Sequence, residues 1–352
     1  MKNFGQRYNH KYIRNFIQKI FIKSKLSKID SYIVASSLVY ADLKGVWSHG
    51  IARTSVYYKR IEQKLAKARP KIKFKKIFPS VAHIDGDNGL GFIIANQAIK
   101  KCISLAKKNG VGVVGVHNSN HFGMAALYVE KATKNNCICW VFTNASKAIP
   151  PHGSMTPHFG TSPFAFGCPT NNPKKPFIID MASSSVARGK LKFAAQRGEK
   201  IPFGLALDKF GKPTNDGFKA FEGIMLPFGG MKGAAISWMM DIVAGIFTGA
   251  AHSGKVKNPI KDFSGSSNVG HLMICIRTDV FQKGSFFKKK MKTGILKVKK
   301  LKLAKGFKEI LYPGEPEYTN YVKNLKQGIQ ISEDVRVDLE RLAKKLKIKS
   351  IF

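Results

Sequence analysis

Three short stretches of the chain collect side chains that chemistry can use. In "WSHGIAR", Ser48, His49 and Arg53 fall within six residues. A guanidinium grips a carboxylate through two parallel hydrogen bonds, and an imidazole beside it exchanges a proton near neutral pH. On a helix start, His49 and Arg53, four apart, would share one side. In "NSNHFG", His121 follows a run of strand formers, at the strand end where open α/β sheets seat their ligands. Its neighbours Asn118, Ser119 and Asn120 are polar where packing would want apolar groups, which makes Asn120 a candidate substrate contact. In "LPFGGMKG", Lys232 stands between glycines ahead of an apolar helix, whose first amides can hold phosphate oxygens. Each stretch alone also reads as something plainer: a surface pair, a structural histidine, a glycine turn. Together they supply a carboxylate clamp, a proton-transfer group and a glycine-lined shelf, the parts of a hydride-transfer site.

The elements that must position these groups follow from periodicity. Apolar residues at three-to-four spacing (Ile13, Phe16, Ile17, Ile20) make the region from Tyr12 to about Lys67 helical, with a second helix over 31–40. Residues 1–75 form a helical N-terminal region carrying the first motif, and 76–352 an α/β catalytic region with its cofactor-binding segment at about 140–280. "VAHIDGDNGLG" is a short strand entering a turn, followed by a helix that Gly110 stops. "GVGVVG" (110–115) spells a dinucleotide fingerprint, but its context is inverted. A Rossmann fingerprint has a strand before the glycines and a helix opening at them. Here the glycines end a helix and lie inside the next strand. "CICWVFTNAS", "TSPFAFGCPT", "FIIDMASSS" and "VGHLMICI" are further strands, a helix spans about 186–197, and "AAISWMMDIVAGIFTGAA" (234–251) reads as a buried helix. Asp180 ends one of those strands, as a helix cap or as an acceptor for cofactor hydroxyls. Intermixed strands and helices give α/β with a mixed sheet.

Composition narrows the class. With 352 residues, 44% hydrophobic, the chain can bury a large core. The net charge of +39 raises the alternative of a polyanion-binding protein on an old enzyme fold. Only ten of the 60 basic residues are arginine, and the lysines run through the whole chain, which argues for no specific nucleic acid. Five cysteines inside apolar runs, without zinc spacing, indicate buried thiols, no metal site and a reducing compartment. No run is long and apolar enough for a membrane span, and the expected location is the cytoplasm.

As a set, "AD-x-x-G-x-x-SHG-x-x-R", "DG-x-x-G-x-G", "S-x-HFG", "GTSPFAF", "DMASS-x-ARGK", "LPFGG-x-KG" and "PGEPE", in that order from Ala41 to Glu317, resemble the type-2 malate/L-lactate dehydrogenase family. That family includes sulfolactate and ureidoglycolate dehydrogenases and reductases of cyclic imino acids. The resemblance implies an NAD- or NADP-dependent oxidoreductase with a non-Rossmann α/β fold, usually a homodimer, acting on a small-molecule carboxylate. It makes His121 the proton donor or acceptor and puts Ser48, His49 and Arg53 in the substrate site. Asp180, Met181, Ala182, Lys232 and the segment Asn144 to Ser146 then face the dinucleotide. Three positions depart from the family pattern: Ser162 in "GTSP", Ser184 in "DMASS" and Met231 before Lys232. Substrates of the 2-hydroxy/2-oxo acid type (malate, lactate, sulfolactate) come first, and cyclic imino acids of the piperideine or pyrroline carboxylate type are the alternative.

Overall fold

The computed structural model describes residues 5–352. It begins with a two-residue strand β1 (Arg7–Tyr8) and helices α1 (His10–Lys23) and α2 (Lys28–Leu43). Asn9 and Ser27 cap these helices, each accepting a backbone N–H through its side chain. Two 3-10 turns, Trp47–His49 and Ile51–Arg53, lead into α3 (Thr54–Glu62). Then come β2 (Lys73–Phe78), β3 (Val81–Asp85), α4 (Gly91–Asn109), β4 (Val111–Ser119), α5 (Ala126–Thr133), β5 (Cys137–Thr143), β6 (Phe164–Cys168) and β7 (Phe177–Met181). A smaller lobe holds α6 (Arg188–Gln196), β8 (Ala206–Leu207), α7 (Gly217–Glu222) and β9 (Ile224–Met225). Helix α8 (Met231–Met240) precedes β10 (Val269–Arg277), α9 (Gly284–Lys299), α10 (Glu315–Gln327), β11 (Ile329–Gln330) and α11 (Glu333–Leu346).

The central sheet has seven strands in the order β2-β3-β4-β10-β5-β6-β7. Only β3 and β4 run parallel, and every other neighbouring pair is antiparallel. The sheet is mixed, as expected, and the glycines of "GVGVVG" do structural work. Gly110 ends α4 at φ +82°. A Cβ on Gly112 would run into the carbonyl oxygen of Cys102, so this glycine lets α4 lie close on β4.

One core joins α4 and α5 to the sheet, with Ile84, Ile99, Val114, Tyr128 and Met273 inside it. A second core belongs to the N-terminal helices (Phe16, Ile17, Phe21, Leu38, Tyr57). It also takes in Ile329, Ile331, Leu339 and Leu342 from the other end of the chain. The helical layer is thus closed by residues that the sequence division assigned to the catalytic region. β1 pairs with β11 along the same seam.

The stretch 234–251 is not a buried helix. After Met240 the chain widens into a π-helical turn, Asp241–Ile246. Small residues line its inner side: Gly245 has no room for a Cβ beside the Asn144 amide, and Gly270 has none beneath the Ala244 carbonyl. The bulky residues Trp238, Met239, Ile242, Ile246 and Phe247 therefore point outward and are exposed.

Candidate active site

The backbone at the exit of β4 is packed closely against glycines. A Cβ on Gly91, the first residue of α4, would strike the carbonyl oxygens of Asn120 and His121. A Cβ on Gly86 would lie 2.7 Å from the Asn118 carbonyl oxygen. Gly123, at φ +78°, packs against the Phe92 ring. The motifs "DG-x-x-G-x-G" and "HFG" are thus two halves of one close contact, and its product is a fixed His121.

Around His121 the structure gathers Ser48, His49, Arg53 and a residue that motif reading passed over, Tyr57. The His121 Nδ1 lies 2.7 Å from the Tyr57 hydroxyl and accepts the Gly123 N–H at 3.2 Å. With a backbone donor on Nδ1, the neutral ring carries its proton on Nε2, and the Tyr57 hydroxyl donates as well. The His49 and His121 rings stack at 5.5 Å. His49 Nδ1 lies 2.9 Å from the Ser48 hydroxyl, and Arg53 Nε donates to the Ser48 carbonyl at 2.8 Å. Ser48, His49 and Arg53 do meet, but on two successive 3-10 turns and not on a helix start. Arg53 makes no ion pair among the described residues, and its two terminal nitrogens have no hydrogen-bond partner there.

Electrostatics follow from burial and from that cation. Burial, then Arg53, push the His49 pKa down to about 4. Burial, then His49 and Arg53, hold His121 well below the usual histidine range. Burial raises the Tyr57 hydroxyl. Both imidazoles are therefore neutral at physiological pH, and the lasting charge is the Arg53 guanidinium. Asp42 lies beneath, accepting the Ile51 N–H at 2.8 Å and filling the space a Gly50 side chain would need. It ties α2 to the junction of the two turns, and burial raises its carboxyl to about 8.

A third histidine supports the cluster from below. His271 on β10 is fully buried between the hydroxyls of Ser119 and Thr143, each 2.8 Å away. Its ring stacks on Phe122 at 4.6 Å, and Phe122 stacks in turn on Tyr128. Burial pushes its pKa down to about 3, so it remains a neutral strut joining β4, β10 and β5.

The amide nitrogens of two predicted contacts donate to backbone carbonyls. The Asn120 amide nitrogen donates to the Asn88 and Gly89 carbonyls, pinning the 86–89 turn, while its Oδ1 is buried without a hydrogen-bond partner. The Asn144 amide bridges the Ala251 carbonyl and the Gly270 N–H. Asp180 accepts the Ala126 N–H at 2.7 Å and so caps α5, five residues beyond His121. Of its two sequence readings, the cap is the one its side chain makes, although the helix is not the one that follows it. Burial raises its pKa to about 6, against the pull of that hydrogen bond.

The remaining predicted cofactor residues form a shelf. Ser183 N–H donates to the Thr161 carbonyl, Phe228 N–H to the Ser183 carbonyl, and Ser185 N–H to the Leu226 carbonyl. Three motifs, "GTSP", "DMASS" and "LPFGG", are thereby laced together, and Ser237 on α8 donates to the Gly160 carbonyl at 2.8 Å. Lys232 and Met181 are exposed, and Ala182 and Ser146 are half-buried. A cavity of about 520 Å³ opens between residues 150–155 and the turn Gly229–Gly230. Both glycines take positive φ, near +60°, and a Cβ on Gly230 would meet nothing. Helix α8 starts there without a side-chain cap and with no acid in its first turn. An uncapped helix start beside Lys232 and a cavity of ligand size fit the phosphates of a dinucleotide.

Comparison with known proteins decides the affiliation. The malate/L-lactate dehydrogenase family pattern matches residues 8–340. The chain belongs to this family. It is 38% identical over 335 residues to the malate/(S)-sulfolactate dehydrogenase of Methanothermus fervidus, covering 95% of this chain and 96% of that one. The solved sulfolactate dehydrogenase of Methanocaldococcus jannaschii superposes with a TM-score of 0.93 at 36% identity, over 98% of both chains. The Δ1-piperideine-2-carboxylate reductase of Pseudomonas syringae pvar. tomato superposes at 0.84 and 25% identity, over 96% of this chain and all of that one. This dehydrogenase is accordingly an oxidoreductase of the hydroxy-acid type, and that relationship implies a nicotinamide cofactor.

Proposed function

We propose that the enzyme moves a hydride between a nicotinamide cofactor, NAD or NADP, and the carbon alpha to a carboxylate in a small 2-hydroxy/2-oxo acid of the malate, lactate or sulfolactate type. The observation that carries this reading is Arg53, a guanidinium without an acidic partner, placed beside two neutral imidazoles. Arg53 binds the substrate carboxylate bidentately. His121 Nε2–H points its proton at the carbonyl oxygen and stabilises the negative charge that develops there. As that oxygen takes the Nε2 proton, the Tyr57 hydroxyl keeps its own proton and strengthens its hydrogen bond to Nδ1, and with the nearby Arg53 it offsets the negative charge that develops on the ring. Oxidation runs the same transfers backwards. Ser48 orients His49, whose ring closes one side of His121. When bound, the nicotinamide supplies or accepts the hydride. Lys232, the α8 amides, Met181, Ala182 and Ser146 hold the dinucleotide, while Asp180 and Asn144 brace the loops that carry the site.

A small carboxylate is also what a cyclic imino acid presents, and the likeness to the piperideine carboxylate reductase keeps that substrate as the second reading. The deciding assay follows cofactor absorbance with a panel of 2-oxo acids and cyclic imino acids, each with NADH and NADPH. Turnover of 2-oxo acids is expected, and turnover of imines alone would replace the first reading by the second. The outward apolar side of the α8 and π-helical segment is the proposed seat of a second copy. Ile242→Asp with Phe247→Asp is then expected to halve the mass in light scattering; an unchanged mass would refute that seat.

A further inference from the structure

None of the site residues belongs to the most basic stretch of the chain. Between Val280 and Lys308 there are eleven lysines, no arginine and no acidic residue. Most of this stretch is α9, which lies on the body by one side only. Phe287, Met291, Ile295 and Lys299, four residues apart, are half-buried, with Met291 Sδ 3.9 Å from Cys168 Sγ. Lys299 is held by Glu315 at 2.6 Å. On the outer side, Phe286, Lys289, Lys290, Thr293, Gly294 and Lys297 line a shallow groove of about 470 Å³. No residue of α9 is fully buried.

The chain that leaves α9 stands out further. Every residue from Lys300 to Glu309 is exposed. Leu301 and Phe307 show 62% and 68% of their surface, and Leu303 is exposed between them. These apolar groups alternate with Lys302, Lys305 and Lys308. Exposed single apolar residues are ordinary, but a row of them interleaved with lysines and free of any acid is not.

The lysines select a partner dense in negative charge, which leaves a nucleic acid or an anionic bilayer. The exposed Phe286 and Phe307 rings suit either partner, and Leu301 and Leu303 separate the two. An aliphatic side chain has no ring to stack on a base, and the stretch has no arginine for bidentate contact with base edges. Aliphatic groups gain only where an apolar medium receives them, and a bilayer surface offers that medium just beneath its phosphates. We propose that α9 and residues 300–309 seat this enzyme on a lipid surface bearing anionic headgroups. Lys289, Lys290 and Lys297 lie over the phosphates, and Leu301, Leu303 and Phe307 enter the boundary between headgroups and acyl chains. This is peripheral attachment: no helix among the described residues is long and apolar enough to cross a membrane.

The test is co-sedimentation of the full-length protein with vesicles of phosphatidylcholine alone, and of phosphatidylcholine with about 30% phosphatidylglycerol. Pelleting with the anionic vesicles only is expected, weakening as salt rises from about 50 to 500 mM. Three variants locate the contact, all on exposed side chains. Lys289→Glu, Lys290→Glu and Lys297→Glu together should lower the bound fraction about tenfold. The same charge change on α1, through Lys11→Glu, Lys19→Glu and Lys23→Glu, should leave it within about twofold. Leu301→Ser with Phe307→Ser, which alters no charge, should lower it about fivefold. Equal losses from the two lysine sets would mean diffuse attraction by net charge and overturn the proposal. So would an unchanged Leu301/Phe307 variant that still binds DNA, which marks a plain polyanion surface. A drop in particle mass for that variant would show a second copy covering the face, again against the proposal.

Discussion

Replacing Tyr57 by Phe removes a single oxygen from the site. The ring stays, packed edge-on against Phe92 with centroids 5.0 Å apart, so the core is preserved. What is lost is the hydroxyl 2.7 Å from His121 Nδ1. The Gly123 N–H still reaches that nitrogen, so the ring keeps its tautomer and its Nε2–H. A hydrogen bond to a group that gains charge in the transition state contributes about 2 kcal/mol, or about thirtyfold in rate. Because the bond strengthens only as the proton leaves Nε2, the loss belongs in kcat and not in KM. Arg53 is untouched, so the KM for the 2-oxo acid should stay within about twofold. Steady-state rates with a saturating cofactor separate the two constants, and cofactor fluorescence shows whether the shelf is intact. A Tyr57→Phe enzyme with kcat within about threefold of the parent would refute the charge-stabilising role of the Tyr57–Nδ1 hydrogen bond.

Three further outcomes follow from the geometry. Arg53→Ala should raise KM for 2-oxo acids about a hundredfold, a cost of about 3 kcal/mol, with little change in cofactor affinity; an unchanged KM would remove the clamp. Asp42 has a folded-state pKa of about 8, above the ordinary value near 4, so folding favours its protonated form and the carboxyl costs stability as pH rises from about 4 to 8. Asp42→Asn keeps an acceptor for the Ile51 N–H, and its melting temperature relative to the parent should climb steadily between about pH 5 and 8; a pH-independent difference would contradict the assignment. Ser162 adopts φ +30° with its buried hydroxyl unpartnered. Ser162→Gly relieves both and should stabilise by about 1 kcal/mol, or about 2 °C in calorimetry; a lower melting temperature would show that the hydroxyl is used.

Much of the site was legible because local rules write it. Gly110 announces the end of α4, and the glycines of "DG-x-x-G-x-G" announce a close backbone crossing. The inverted context of "GVGVVG" ruled out a phosphate loop at the strand where Gly112 admits α4. Tyr57 left a signal too, one helical turn beyond Arg53 and two beyond His49, but a tyrosine in an apolar stretch usually reads as core. His271 left none: it sits inside "VGHLMICI", and only the pairing of β10 between β4 and β5 brings it to Ser119 and Thr143. The backbone partners of the Asn120 and Asn144 amide nitrogens, Gly89 and Ala251, were not legible because tertiary contacts set them, and the Asn120 Oδ1 stays without a partner. The outward face of the π-helical turn was hidden for a related reason. Composition shows that a segment is apolar, while the small residues that pack beneath it decide which side turns outward.

The shared core of the first and last helices has a consequence for how this enzyme comes into being. His49, Arg53 and Tyr57 ride on a layer whose interior is completed by Ile329, Ile331, Leu339 and Leu342. During synthesis at roughly 5–20 residues per second, those partners leave the ribosome some 15–55 seconds after the active-site loop has emerged. Once β10 has followed and taken its place between β4 and β5, the sheet can present His121, while the clamp that would face it still lacks its foundation. Catalytic competence therefore waits for residues 329–342 to be made and to pack. A chain stalled before α11 carries His121 without an organised means of binding substrate.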